Sequence, residues 1–204
     1  MIRIENEYVT PFKSAFRGMR NPYNSWEKST PESDMELACK LISAGTEHRK
    51  FLRMIHVSVD VTAPLFWWKE YDTYKVGTTA NSCSTMHTLV DRPFTLSDFS
   101  YEDWLPEEVE EEVARLNARL DAYLSTPYSA PREKQRVWRV LISALPAGFM
   151  QKRTVDLNYE TLLTIHRQRK NHKLTEWHVF CDWVESLPMM GVFIEAAEGG
   201  KNDN

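Results

Sequence analysis

The segment His166-Arg167-Gln168-Arg169-Lys170-Asn171-His172-Lys173 places four fixed cations and two histidines within eight positions. Arginine presents a planar fork of N–H donors that can hold an oxyanion through two bonds at once, so this density suits a phosphate ligand. The same cations fall near the C-terminal end of an expected helix, where exposed backbone carbonyls favour positive charge whatever the function. Composition alone weighs these two readings equally. Just upstream, Asn158 has the side chain of a helix N-cap. It stands between a strand-like run and the apolar positions Leu162, Leu163 and Ile165.

Other chemistries are thinly represented. The six histidines show neither zincin spacing nor a cysteine partner at ligand distance, so no metal is expected. Only seven glycines occur, none arranged as a phosphate-cradling loop, and no GxSxG elbow marks a hydrolase serine. Cys83, in a polar stretch, is a candidate nucleophile without an assignable partner; its plainer reading is a small, partly buried thiol. Cys39, Cys83 and Cys181 lie far apart with no CxxC pair, the pattern of reduced thiols, so a cytoplasmic location is expected. The N-terminal stretch lacks the apolar core of a signal peptide, and no stretch approaches the ~20 apolar residues of a membrane span. A net charge of −4 argues against a general nucleic-acid binder while allowing a local basic site.

The elements that must position these residues are those of one folded α+β domain spanning 1–204, with residues from about 189 onward expected as a flexible tail. A hydrophobic share of 42% with seven tryptophans excludes a disordered chain. Ile2 and Ile4 alternate as in an edge strand. Residues 13–30 read as an irregular connection, and Ser33 with Glu36 as the capping box of a helix stopped by Gly45. Residues 48–55 are ambiguous between helix and strand. Val57, Val59 and Val61 alternate with polar residues as a strand. Pro64 opens a helix whose Phe66, Trp67, Trp68 and Tyr71 read as core packing rather than a ligand-stacking face. Residues 73–85, small and rich in hydroxyls, suit a loop wrapped closely around something.

Pro106 to Leu124 is the clearest helix. Its early glutamates suit the positive end of the dipole and read as a solvated face, while Val109, Val113, Leu116, Leu120 and Leu124 form the buried stripe. A helix from Pro131, a strand over 149–157, a helix from Asn158 and a final helix bearing Trp177 and Phe180 complete the pattern.

In this arrangement the chain resembles the flavin-dependent thymidylate synthases. That family has a strand ending in Asn, a helix patterned Asn-x-x-Ser-Leu, an Arg eleven residues after the Asn, and then a Trp. Here these are Asn158, Thr161, Leu162, Arg169 and Trp177, the Trp one position late. Upstream, Pro64-Leu65-Phe66 leads to Thr73-Tyr74-Lys75 at the spacing where the family carries Arg-His-Arg. The similarity runs from about His48 to Trp177. It implies a twisted mixed or antiparallel sheet flanked by helices, and a homo-oligomer, as the family's members are tetramers. It also implies a deoxyuridine monophosphate-like ligand and FAD, with NADPH and methylenetetrahydrofolate if the family chemistry is retained. His48, Asn158 and Tyr74 then fall near flavin, while Ser84, Lys75, Arg169 and Arg167 fall near the nucleotide. No catalytic residue is assignable.

The departures are equally specific. Thr73, Tyr74 and Lys75 replace the Arg-His-Arg that holds the flavin in the family, and Met86 replaces an Arg that helps hold deoxyuridylate. Each lost charge-assisted contact costs on the order of 1.5–3 kcal/mol, and Lys75 keeps a charge without the bidentate fork. Two readings follow: a divergent enzyme transferring a one-carbon unit to a (deoxy)uridine phosphate with reduced FAD, or a non-catalytic relative using the fold as a nucleotide-binding or protein-interaction scaffold. The hydroxyl-rich 73–87 stretch favours a retained ligand.

Overall fold

A computed structural model describes residues 1–101 and 105–199. In chain order it contains β1 (Arg3–Val9), α1 (Lys13–Arg20), α2 (Pro31–Ser43), β2 (His56–Pro64), α3 (Leu65–Tyr71), β3 (Thr78–Ser82), α4 (Thr85–Thr88), α5 (Pro106–Ser125), α6 (Pro131–Ser143), β4 (Met150–Asn158), α7 (Tyr159–Arg169), α8 (Thr175–Ser186) and α9 (Met190–Gly199). The four strands form one sheet in the order β1-β2-β4-β3. Backbone bonds from Thr10 to His56, Tyr159 to Ile55, Leu65 to Phe149 and Cys83 to Lys152 pair rising with falling residue numbers, so neighbouring strands are antiparallel. The α+β class expected from the pattern is the one observed.

The chain divides into two compact units. The first comprises Met1–Arg3, Val61–Asp72 and Asn81–Arg153. Its core gathers Leu89, Phe94 and Phe99 with Leu116, Leu120 and Leu141 from the α5–α6 hairpin. In α3, Trp67 stacks on Tyr71 with centroids 5.2 Å apart, and Trp68 Nε1 donates to Gln151 O at 2.9 Å. These rings are buried, as the helical spacing required.

The second unit comprises Ile4–Asp60, Thr73–Ala80 and Thr154 onward. Leu162, Leu163 and Ile165 of α7 are buried together with Trp177, Phe180 and Val184 of α8. α9 packs on α2 and α8 and buries Met190, Phe193 and Ile194.

Several sequence expectations are corrected. The 189–204 tail is a helix over Met190–Gly199, because its apolar residues recur at helical spacing and find α2; residues 200–204 lie outside the described residues. The irregular 13–30 connection holds α1, whose buried face (Ala15, Met19, Arg20) is short and masked by surrounding cations. The capping box belongs to Thr30 and Ser33 rather than Ser33 and Glu36, since Pro31 begins the helix where a missing N–H costs nothing. The 73–85 loop contains β3, whose backbone pairing with β4 overrides a composition poor in strand formers. Residues Lys50–Met54 form a 3-10 turn. On α5, Leu124 is 56% exposed and leaves the stripe one turn early.

If α9 is part of the core, Phe193→Ala lowers unfolding free energy by about 3–5 kcal/mol in urea titrations, the usual cost of emptying a buried aromatic site. A loss below about 1 kcal/mol would mean the segment is not integral to the fold.

Candidate functional site

The site begins where β4 ends. Asn158 leaves the strand with extended backbone (φ −99°, ψ 164°) and caps α7, its Oδ1 accepting from Thr161 N at 3.0 Å with Thr161 Oγ1 lying 3.2 Å away. Thr161 Oγ1 donates to Val76 O at 3.0 Å, which ties the 73–78 segment to the first turn of α7. Gly77 permits this approach: at φ +72° a side chain is disfavoured, and an added Cβ would fall 2.4 Å from Asn158 Nδ2. Sequence reasoning passed over Gly77, because a lone glycine in a polar stretch gives no sign of what it must accommodate.

Eleven residues beyond Asn158, about three helical turns, Arg169 returns to nearly the same face of α7. Its Nε donates to Tyr74 Oη at 2.8 Å, and Tyr74 Oη donates to Gln168 Oε1 at 2.9 Å. The guanidinium carbon sits 5.5 Å from the Tyr74 ring centroid and 4.8 Å from that of Trp177. Tyr74 and Trp177 meet edge to face at 6.1 Å. Arg169 is half-buried. An arginine held by a phenol and two aromatic faces has its plane set in advance, which lowers the ordering cost of gripping an oxyanion.

The rest of the basic segment disperses. His166 is buried, its Nε2 2.7 Å from Glu185 Oε1. Lys170 pairs with Glu198 of α9. Arg167, two residues and about 200° around the helix from Arg169, is exposed and lines a small cavity with Arg49, whose guanidinium binds Glu160 at 2.8 and 2.9 Å. The segment therefore resolves into an Arg169 guanidinium oriented by Tyr74 and Trp177, a His166–Glu185 contact and a Lys170–Glu198 pair.

Asn158 and Arg169 stand at opposite ends of α7 on nearly one face, and Tyr74 meets Arg169. Lys75 is exposed beside Tyr74. His48 is exposed, and its backbone N–H closes a turn on Gly45 O at 3.1 Å. Ser84, in the first unit, precedes α4, and its carbonyl accepts from the backbone of His87 and Thr88. Cys83 is exposed rather than partly buried, with Sγ 3.5 Å from Thr88 Oγ1. Burial pushes the Cys181 thiol up to about 12 and removes it as a nucleophile at neutral pH. Among the described residues no helix is long and apolar enough to cross a membrane.

The junction can be tested by substitution. Asn158→Ala should cost about 1 kcal/mol as a lost N-cap. Gly77→Ala should cost about 1–3 kcal/mol from left-handed backbone and crowding. Urea midpoints that match wild type for both would remove the junction from this role.

No protein-family model matches the sequence, and no curated protein matches it. Solved structures do match. Two structures of thymidylate synthase X from Helicobacter pylori, each with FAD and dUMP, align over 97% of this chain with a TM-score of 0.75. They cover 100% and 98% of those chains at 15% and 16% identity. A UMP/dUMP methylase, PolB from Streptomyces cacaoi, bound with 5-Br dUMP, aligns over 98% of this chain and 95% of its own with a TM-score of 0.66 and 13% identity. The likeness is one of backbone: this chain carries the fold of the flavin-dependent thymidylate synthases.

Proposed function

We propose that the chain binds a (deoxy)uridine monophosphate and that Arg169 holds its phosphate. The observation that carries this reading is the orientation of the Arg169 guanidinium between Tyr74 and Trp177. The match in fold to structures holding dUMP or 5-Br dUMP supports it. Lys75 and Ser84 are the further candidates for the nucleotide. Arg167 belongs to the Arg49 side of α7 and is not assigned to the phosphate. A homotetramer in the cytoplasm is the assembly and location that accompany this reading.

The residues present do not fit FAD in the family's manner. Of the three positions corresponding to Arg-His-Arg, Thr73 and Lys75 are exposed and uncharged and singly charged respectively, while the Tyr74 hydroxyl is engaged by Arg169 and Gln168. Asn158 spends its amide oxygen on the α7 cap. This favours the second reading of the sequence, a nucleotide-binding relative without the family's one-carbon transfer.

Two measurements separate the possibilities. Deoxyuridine monophosphate should raise the melting temperature saturably where deoxyuridine does not, and Arg169→Ala should remove about 1.5–3 kcal/mol of binding free energy. Tyr74→Phe should weaken binding by a smaller factor, since it frees the guanidinium plane without removing its charge. Absence of any shift in wild type overturns the nucleotide reading. The purified protein is expected to be colourless; flavin bands near one per chain would restore the enzymatic reading.

A further inference from the structure

The second unit holds a separate cavity of about 500 Å³ beside α1, within the ~300–1,000 Å³ typical of small-molecule sites. Its walls are largely apolar: Phe16 of α1, Trp26, Pro31 at the start of α2, and Met189 from the turn before α9. Two of these walls are fixed by specific structure. Trp26 is 45% exposed, yet its Nε1 donates to Asn21 Oδ1 at 2.7 Å, which orients the indole. Met189 adopts φ +64°, a left-handed conformation that side chains rarely accept.

Arg20 and Asp34 also line the cavity, and both are buried. Arg20 Nε lies 2.5 Å from Asp34 Oδ1, and Ser29 Oγ donates to Asp34 Oδ2 at 2.7 Å. That pair is neutral as a unit. Lys13 and Arg17, one turn apart on the face of α1 that also carries Phe16 and Arg20, are exposed lining residues. Among the described residues neither has a carboxylate within ion-pair distance. Glu32, in the first turn of α2, is the nearest acidic neighbour in sequence to the Pro31 wall and is not among the lining residues.

An apolar cavity with two uncompensated cations selects for an amphipathic anion, because the body gains by leaving water and the charged head stays at the solvated rim. We infer that this cavity binds a small amphipathic carboxylate, its body against Phe16, Trp26 and Met189 and its carboxylate on Lys13 and Arg17. The site is distinct from Arg169 and does not depend on the nucleotide reading.

Decanoate, kept below its micelle concentration, is the probe. Calorimetric titration of the full chain should show saturable binding near one per chain. Decanol, with the same body and no charge, should bind at least about tenfold more weakly, and Arg17→Glu should weaken decanoate by a similar factor, the loss of about one charge-assisted contact. Arg17 is exposed, so the urea midpoint of the unliganded variant should match wild type. Trp26→Ala should weaken decanoate and decanol alike, and Arg169→Ala should leave decanoate affinity unchanged. No saturable heat, equal affinity for decanol, or undiminished binding by Arg17→Glu or Trp26→Ala would each overturn the assignment.

Discussion

The hand-over from β4 to α7 at Asn158 is the constraint on which the candidate site depends. One side-chain oxygen ends a strand, begins a helix and, through Thr161, holds the 73–78 segment against that helix. Capping supplies a partner for backbone N–H groups that the first helical turn leaves without one. Because α7 starts at a fixed residue, the position of Arg169 three turns later is fixed too. The same clasp sets the register of Tyr74, so the phenol meets the guanidinium. Loosening the cap would disturb the pairing at the other end of the helix without touching it directly.

Much of this was legible in the sequence. The alternating valines of β2, the helix opened by Pro106, the strand before Asn158 and its capping role all follow from short-range pattern, and they stand as read. The resemblance singled out Asn158, Arg169 and Tyr74; in the structure Asn158 caps α7, and Arg169 at its far end meets Tyr74. What was not legible depended on distant partners. β3 exists because β4 offers it a ladder, and α9 because α2 and α8 offer its apolar face a place. Neither segment names its partner, although the apolar residues of α9 do recur at helical spacing.

The basic segment shows the same limit in its chemistry. Four fixed cations in eight positions look alike in sequence, yet Arg167, Arg169 and Lys170 meet different surfaces. His166 and Lys170 become structural links to α8 and α9, Arg167 faces the Arg49 side, and only Arg169 enters an aromatic setting that fixes its plane. Tyr74 matters to this arrangement through its contact with Arg169. Tyr74 becomes a support for the arginine. The fold is that of solved structures that hold FAD and dUMP.

The most direct test is a crystal structure of the chain grown with deoxyuridine monophosphate. The expected result is phosphate density within about 3 Å of the Arg169 guanidinium nitrogens, the distance of a charge-assisted hydrogen bond, with Tyr74 and Trp177 still flanking the arginine. Nucleotide bound elsewhere with Arg169 untouched, or no nucleotide at saturating concentration, would contradict the role given to Arg169 and to the junction that positions it.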